Sequence, residues 1–229
     1  TYLLKGGYKN YRKWVLNQFE TDLPIRLIGG KTGTRKTDLL NQIKSKNTYI
    51  IDLEGLAKHR GSSFGSLGME KQPTTQQFEN ILAESIDEFN TTRNAIEIWI
   101  EAESSNLGKC RIPKSLFEKM KKAPILEIIK TKDERIDNLV SIYSQNSQIE
   151  LIEAVERIRK RLGPQRTKEA LVAIEKREWS KACKAMLNYY DRCYEYELKK
   201  TININSIDLS GLSLKSSLNK ILNMKLNKL

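Results

Sequence analysis

A segment near the start of the chain has the residues of a phosphate-binding loop. Residues 30–37 read Gly-Lys-Thr-Gly-Thr-Arg-Lys-Thr and match the pattern G-x-x-x-x-G-K-[ST], except that Arg35 replaces the second glycine. In such a loop, free backbone N–H groups and the positive end of the next helix bind a phosphate or diphosphate. Lys36 would reach the terminal phosphates, and the Thr37 hydroxyl would be a metal ligand. The predicted phosphate-binding residues are Gly30, Lys31, Thr32, Gly33, Thr34, Arg35, Lys36 and Thr37.

The replacement at Arg35 leaves two interpretations open. Its guanidinium would add a second cation beside Lys36 and help to bind a phosphate. Alternatively, an arginine distorts the loop and weakens ligand binding, because the position needs the backbone freedom of glycine. A plainer alternative for the whole segment is an ordinary turn that contains glycines, with Lys36 and Thr37 as solvated residues at a helix start.

Two acidic residues end predicted strands and are candidates for holding Mg²⁺. Asp52 ends the strand that follows the loop in sequence, and Glu101 ends a more apolar strand. In proteins with this loop, an acid at a strand end commonly holds magnesium, and both acids would lie at the carboxyl edge of the sheet. Because a strand-end acid is also a common helix cap, the sequence does not decide between Asp52 and Glu101.

The segment 52–65 carries an unusual density of reactive and flexible residues. It reads Asp-Leu-Glu-Gly-Leu-Ala-Lys-His-Arg-Gly-Ser-Ser-Phe-Gly and contains the only histidine of the chain. Loops of this length inside a domain are usually functional. We expect His59 to carry a proton and Arg60 to bind an anion, with Ser62 and Ser63 contacting phosphate or ribose. The alternative is a lid with an ordinary surface histidine.

The net charge of +12 favours a polyanionic partner such as nucleic acid, although a solvated lysine-rich surface explains it equally well. Basic residues concentrate in the N-terminal helix and in residues 157–168. The candidates for nucleic-acid contact are Lys9, Arg12, Lys13, Arg157, Arg159, Lys160, Arg161, Arg166 and Lys168. Residues 189–196 alternate aromatic and charged side chains, which fits either stacking on bases or packing between two parts of the protein.

Hydrophobic periodicity predicts the elements that position these residues. The predicted strands are 25–28, 48–52, 95–101 and 125–129, and the helices between them are 36–46, one that begins at Thr74 or Thr75, and 113–120. Strands that alternate with helices indicate a parallel sheet with right-handed crossovers. The predicted fold class is therefore α/β, a P-loop NTPase-like parallel sheet flanked by helices.

Beyond Lys132 the strand signal fades and helical spacing takes over. The helices expected there are 151–162, 167–176 and 179–190, which together make a C-terminal helical subdomain. A β-like segment at 201–204 and a loosely attached amphipathic helix at 214–226 would follow. The predicted divisions are residues 1–20 (strand, Gly-Gly turn and helix), 21–132 (α/β domain), 133–200 (helical subdomain) and 201–229 (tail).

Several classes of protein are disfavoured by composition. The three cysteines, Cys110, Cys183 and Cys193, have no disulfide or zinc-site spacing, and helical spacing puts Cys183 in a core. No apolar run is long enough to span a bilayer, so we expect no membrane partner. No secretory signal opens the sequence, which makes a cytoplasmic location the default expectation.

The segment 52–65 resembles the signature loop of bacterial tRNA 2-selenouridine synthases. Residues 76–80 (Gln-Gln-Phe-Glu-Asn), 99–104 (Trp-Ile-Glu-Ala-Glu-Ser) and 189–196 are similar to that family as well, and the resemblance covers about residues 1–200. The opening residues 4–14 look like the last turn and helix of the rhodanese domain that precedes the P-loop domain in this family.

The resemblance implies an enzyme that modifies the wobble uridine of the tRNA anticodon. The family converts 2-thiouridine to 2-selenouridine with selenophosphate, through an S-geranylated intermediate made from geranyl diphosphate. The P-loop ligand would then be the prenyl diphosphate or selenophosphate, with Lys36, His59 and Arg60 as catalytic residues and Mg²⁺, if used, at Thr37 and Asp52 or Glu101. The rhodanese domain and its active-site cysteine would belong to sequence upstream of this chain.

The chain departs from the family at two positions. Arg35 replaces the usual P-loop glycine, and residues 104–106 read Ser-Ser-Asn where the family commonly has an arginine, which would remove one anion contact. Two other functions therefore stay open. One is a P-loop kinase or ATPase, and the other is a non-catalytic tRNA-binding module with a disabled P-loop.

Overall fold

The computed structural model describes residues 4–43, 47–92, 95–199 and 203–224. The strands in these ranges are β1 (Ile25–Gly30), β2 (Thr48–Ile51), β3 (Glu97–Glu101), β4 (Asn106–Leu107), β5 (Cys110–Arg111), β6 (Ile125–Ile129) and β7 (Ile204–Asp208). Among the described residues, five strands form one parallel sheet in the order β2-β3-β1-β6-β7, and β4 pairs with β5 as a short antiparallel hairpin. The predicted parallel α/β sheet is confirmed.

The central strand β1 is buried on both faces and pairs with β3 and β6. Its register places Ile28 beside Glu101 and Gly30 beside Ile128. Strands buried on both faces are mostly apolar, and 25–28 and 125–129 are apolar apart from Arg26 and Glu127. Because the strands are parallel, the ends of β1, β2 and β3 lie at the same edge of the sheet.

Helices cover both faces of this sheet. They are α1 (Gly7–Gln18), α2 (Lys36–Gln42), α3 (Leu53–Ala57), α4 (Thr75–Thr91), α5 (Lys114–Lys122) and α11 (Leu214–Asn223). Successive residues of β3 alternate between the two faces. Ile98 and Ile100 therefore pack in the core with α1, α4 and α5, whereas Trp99 packs in the core with α2 and α11.

Two local expectations for this part of the chain differ from the structure. The helix predicted over 36–46 ends at Gln42, and residues 44–46 lie outside the described ranges. The segment 52–65 begins as the short helix α3, with Asp52 as its N-cap, before it becomes a loop. The predicted N-terminal helix is confirmed as α1, whereas residues 1–3 of the strand expected before it are not described.

The segment after β6 is helical, as predicted, but its boundaries differ. It contains α6 (Lys132–Tyr143), α7 (Gln148–Arg157), α8 (Arg159–Leu162), α9 (Pro164–Glu175) and α10 (Trp179–Leu198). The single helix predicted at 151–162 is interrupted at Ile158. The helix predicted from Thr167 begins earlier, because Pro164 is well suited to the first helical turn.

The C-terminal tail is more tightly integrated than we expected. Strand β7 pairs in parallel with β6 and forms an edge of the sheet. In α11, Ile221 and Ser217 are buried, and Ile221 packs in the same core as Trp99. The prediction of a loosely attached helix is wrong for the described residues, since these contacts fix α11 against α2. The division of the chain into domains stays a prediction.

Candidate active site

The phosphate-binding loop connects the central strand to α2 at the carboxyl edge of the sheet. β1 ends at Gly30, and α2 begins at Lys36. Helix α6 packs against the loop, since a Cβ on Gly33 would lie 2.6 Å from the carbonyl oxygen of Arg135. The Asn138 amide also donates a hydrogen bond to the Gly33 carbonyl at 3.2 Å. Glycine is therefore required at position 33 by both its φ of 89° and this close approach.

Arg35 adopts the backbone conformation that is expected of the glycine it replaces in the P-loop pattern. Its φ and ψ are 62° and 32°, in the left-handed region, and this costs a non-glycine residue about 1 kcal/mol. The guanidinium Nε donates to Oδ2 of Asp38 at 2.6 Å, on the exposed side of the helix start. The arginine therefore keeps the geometry of the loop, and a neighbouring carboxylate balances its charge.

Lys36 is surrounded by carboxylates. Its Nζ lies 3.5 Å from Oε1 of Glu103, and both side chains are mostly buried. Burial by itself would lower the pKa of Lys36, but the negative charges of Glu103, Glu54 and Glu101 outweigh it and raise the pKa above its usual value. Lys36 is therefore protonated at physiological pH, and its ammonium group is paired with Glu103.

Two of these carboxyl groups contact the hydroxyl of Thr37. Oε1 of Glu101 lies 2.5 Å from Thr37 Oγ1, and Oε2 of Glu54 lies 3.1 Å from it. The other oxygen of Glu101 accepts a hydrogen bond from the Glu54 backbone N–H at 3.2 Å. Burial raises the pKa of Glu101 well above its usual value and that of Glu54 to about 7. Because a hydroxyl donates only one hydrogen, only one of the two carboxyl groups can accept it.

These oxygens suit a magnesium ion. Mg²⁺ prefers oxygen ligands and usually takes one or two carboxylates together with substrate phosphates. Across the described residues, no group of three or more His, Cys, Asp or Glu side chains is arranged to hold a metal by itself. Thr37, Glu101 and Glu54 would therefore supply part of a coordination shell that a phosphate ligand completes.

Asp52 has a different position from Glu101. Its Oδ1 accepts a hydrogen bond from the Gly55 backbone N–H at 2.7 Å, which caps α3, and its Oδ2 accepts one from the Asn41 amide at 3.2 Å. The structure thus places Glu101, rather than Asp52, in contact with Thr37. The alternative that a strand-end acid caps a helix is confirmed for Asp52.

His59 is buried, so the alternative of an ordinary surface histidine is wrong. The backbones of two glycines press against its ring: a Cβ on Gly65 would lie 2.7 Å from Cε1, and one on Gly108 would lie 2.7 Å from Cδ2. Burial lowers the pKa of His59, although Glu103 acts in the opposite direction, so the ring is neutral at pH 7. Arg60 donates from Nη1 to the Leu67 carbonyl at 2.8 Å, which closes the loop on itself. The catalytic roles of both residues stay predictions.

Glu54 and Glu103 are the functional candidates that sequence reasoning missed. Each follows a strand-end acid by two residues, in Asp-Leu-Glu at 52–54 and in Glu-Ala-Glu at 101–103. The repeated acid-x-acid spacing was the available signal. In the first pair, the second acid, Glu54, is the one beside Thr37.

Comparison with known proteins matches residues 23–210 to the family model of the tRNA 2-selenouridine synthase AAA domain. The chain belongs to this family. It is 32% identical to the tRNA 2-selenouridine synthase of Marinobacter nauticus over 86% of this chain and 60% of that protein. The enzyme of that name from Sulfurovum is also 32% identical, over 86% of this chain and 61% of that protein.

A third tRNA 2-selenouridine synthase, from Hydrogenovibrio crunogenus, is 31% identical over 91% of this chain and 64% of that protein. The chain thus spans about three fifths of the length of the relatives it matches. An uncharacterized protein of Eubacterium ventriosum with a solved structure aligns over 88% of this chain and 97% of that chain at 13% identity. Its TM-score of 0.36 is too low to inform on fold or function.

In this member of the selenouridine synthase family, the basic candidates divide into two groups. On α1, Arg12 is engaged by Glu79 and Asn80 of α4, whereas Lys9 and Lys13 are exposed. In the second group, Arg157 donates to the Ser63 carbonyl at 3.0 Å, so this group borders the 52–65 loop. Among the remaining members, Arg159 pairs with Glu156. Lys160, Arg161 and Lys168 are exposed, and Arg166 is half-buried.

The segment 189–196 lies within α10 and packs against the P-loop. Glu195 accepts a hydrogen bond from Lys31 Nζ at 2.6 Å, and Asp191 binds both Nη atoms of buried Arg135 at 2.8–3.0 Å. The Tyr194 hydroxyl lies 3.1 Å from the position of a Cβ on Gly29. The packing interpretation is confirmed for these residues.

Within the described ranges, no helix has the length and apolar character needed to cross a membrane.

Proposed function

We propose that this chain is the P-loop part of a tRNA-modifying transferase that converts wobble 2-thiouridine to 2-selenouridine through S-geranylation. Its P-loop would bind the diphosphate of geranyl diphosphate or the phosphate of selenophosphate. The observation that carries the proposal is the arrangement of Lys36 and Thr37 at the start of α2, in a chain that belongs to the selenouridine synthase family. A tRNA substrate would place the protein in the cytoplasm.

In the first chemical step, the sulfur of 2-thiouridine would attack C1 of the geranyl group, and the C–O bond to the diphosphate would break. The diphosphate leaves with the electron pair of that bond, so negative charge grows on it. Lys36, which is protonated and close to the loop N–H groups, would neutralise this charge. In the second step, the selenium of selenophosphate would attack C2 of the base, and the C–S bond would break to release geranylthiol. Hydrolysis of the Se–P bond would then release phosphate and leave 2-selenouridine.

Mg²⁺, if it is used, would strengthen the hold on the diphosphate oxygens. Thr37, Glu101 and Glu54 would be its protein ligands, and they already lie within hydrogen-bond distance of one another. Their buried position supports this role, because an ion between carboxylates and phosphate relieves the cost of burying several negative charges together.

We place the tRNA backbone on the second basic group, residues 157–168. This group borders the 52–65 loop through the Arg157–Ser63 hydrogen bond, and so it is near the edge of the sheet where the P-loop lies. Lys9 and Lys13 on α1 would provide a second contact. The upstream rhodanese domain expected from the family would be a further partner in the full protein.

The proposal is tested with 2-thiouridine tRNA, geranyl diphosphate or selenophosphate, and the pure protein, followed by mass spectrometry of the digested nucleosides. Lys36→Ala should reduce geranyl transfer at least about 100-fold, the loss typical of removing one group that stabilises transition-state charge. Lys121→Ala removes an exposed lysine on α5 and is the matched control, with activity unchanged. Full transfer by Lys36→Ala would contradict the assigned role.

A P-loop kinase or ATPase is the second candidate. The pairing of Thr37 with a strand-end acid, beside a set of helices, is also compatible with a nucleotide–Mg²⁺ complex. Turnover of ATP by the pure chain, with or without tRNA, would favour it. The non-catalytic alternative predicts salt-sensitive tRNA binding without chemistry, but the retained backbone conformation of Arg35 argues against a disabled loop.

A further inference from the structure

Each side-chain cation of the P-loop is paired with a carboxylate of the chain itself. The three carboxylates come from three different elements: the long helix α10, the first turn of α2 and the segment that follows β3. The pairs are Lys31–Glu195, Arg35–Asp38 and Lys36–Glu103, with N–O distances of 2.6, 2.6 and 3.5 Å. In this arrangement, the positive charges that a phosphate would meet are neutralised by the chain itself.

The Lys36–Glu103 pair differs from the other two by its burial. The side chain of Lys36 is 19% exposed and that of Glu103 is 9% exposed, whereas the side chains of the other two pairs are 34% to 52% exposed. Water and salt screen an exposed ion pair strongly and a buried one weakly. Burial lowers the pKa of Lys36, and among the nearby carboxylates that raise it Glu103 acts most strongly. Glu103 is therefore the carboxylate with the strongest hold on the P-loop lysine.

The position of Glu103 in the chain allows its side chain to leave Lys36. Glu103 lies between β3 and β4, in residues 102–105, which belong to neither a helix nor a strand. One carboxylate oxygen, Oε1, faces Lys36, and the other, Oε2, lies 2.5 Å from the position of a Cβ on Gly61. The 3.5 Å between Lys36 Nζ and Oε1 exceeds the length of a strong charge-assisted hydrogen bond, which is about 2.7–2.9 Å. The side chain can therefore rotate away without breaking a strand or a short hydrogen bond.

A phosphate in the loop and the Glu103 carboxylate compete for the same ammonium group. The loop N–H groups and the start of α2 direct an anion toward Lys36, and the negative charges of a phosphate and a carboxylate repel each other. We propose that Glu103 is an internal competitor for Lys36, which a phosphate or diphosphate must displace in order to bind. The return of Glu103 to Lys36 then helps to expel a diphosphate product. This inference rests on the proposed function only in that the P-loop binds a phosphate-containing ligand.

The test compares the calorimetric affinities of the wild-type chain, Glu103→Gln and Glu103→Ala for inorganic diphosphate. An ion pair that leaves Lys36 free in about one molecule in ten weakens diphosphate binding about tenfold. Both variants should therefore bind diphosphate about tenfold more tightly than the wild type, with Mg²⁺ and also with EDTA. The two substitutions remove the same charge, so either one suffices if the other fails to fold.

Asp38→Asn is the matched control, because it removes one negative charge from the partner of another P-loop cation. The Arg35–Asp38 pair is exposed, so its loss should change the affinity for diphosphate less than about twofold. A gain in Asp38→Asn equal to that in the Glu103 variants would mean that any negative charge lost near the loop strengthens binding. That result would overturn the competition.

A purely structural role for Glu103 predicts a change of the opposite sign. If Glu103 only supports Lys36, its replacement leaves the lysine misplaced and weakens diphosphate binding. Unchanged or weaker binding in the variants therefore overturns the inference, and so does the failure of both variants to fold, since Glu103 would then be a structural support. A gain that disappears with EDTA overturns it as well, because the effect would come from the metal site.

The inference and the proposed function fail separately. Tighter diphosphate binding by the Glu103 variants, without any transfer to tRNA by the wild type, supports the competition and rejects the proposed function. Transfer to tRNA by the wild type, without tighter binding by the variants, does the reverse. Absence of diphosphate binding in all of these proteins rejects both.

Discussion

Replacing Glu54 by glutamine should make the protein more stable at alkaline pH. The Glu54 side chain is 7% exposed and lies among Glu101, Glu103 and Lys36, and burial raises its pKa from 4.5 to about 7. A raised carboxyl pKa means that the folded state holds the proton more tightly than the unfolded state does. The free energy of unfolding therefore falls as pH rises from 4.5 to 7, and the cost persists at higher pH.

The magnitude follows from the size of this shift. At about 1.4 kcal/mol per pKa unit, ionised Glu54 costs the folded state about 3 kcal/mol at pH 8 and about 1 kcal/mol at pH 5. Glutamine does not ionise and still accepts a hydrogen bond from Thr37. Glu54→Gln should thus raise the free energy of unfolding by these amounts, as measured by urea denaturation at the two pH values.

The matched control is Glu118→Gln on α5. Glu118 is exposed, and its hydrogen bond with Lys121 lowers its pKa, so its replacement should give no gain in stability at pH 8. A Glu54→Gln variant that is no more stable than the wild type at pH 8, or that gains equally at pH 5 and pH 8, would refute the reasoning. In either case the buried carboxylates would not repel one another as their positions require.

Two further predictions concern the P-loop and its support. Because Arg35 has a left-handed backbone, Arg35→Gly should change the free energy of unfolding by less than about 1 kcal/mol, whereas the β-branched Arg35→Val should lose about 1–2 kcal/mol in thermal denaturation. Equal effects of the two variants would contradict this. Asp191→Asn leaves the buried Arg135 without its carboxylate and should cost about 3–5 kcal/mol in urea denaturation. A loss below about 1 kcal/mol would show that Arg135 finds another partner.

Local sequence patterns were sufficient for the P-loop and for most of the sheet. The residues that define the P-loop, which are its glycines, Lys36 and Thr37, are close neighbours in sequence. Largely apolar runs such as 125–129 identify strands that are buried on both faces. Helix α6 escaped detection although Thr131 and Glu134 form a capping box at its start. The apolar residues Ile136, Leu139, Val140 and Tyr143 of that helix also follow helical spacing, so the signal was present in the sequence.

The choice between Asp52 and Glu101 required the structure. Glu101 is beside Thr37 because β3 is the direct neighbour of β1 and its register pairs Ile28 with Glu101. Neither strand order nor register is encoded within a short stretch of sequence. The same holds for β7, whose place beside β6 depends on a partner about 80 residues earlier in the chain.

The ion pair between Lys31 and Glu195 links anion binding in the P-loop to helix α10. Lys31 belongs to the P-loop, and Glu195 lies near the C-terminal end of α10. An anion that attracts the ammonium group of Lys31 competes directly with Glu195 for it. Anion binding at Lys31 and the Lys31–Glu195 ion pair are thus alternatives, so a bound anion frees the Glu195 carboxylate near the C-terminal end of α10.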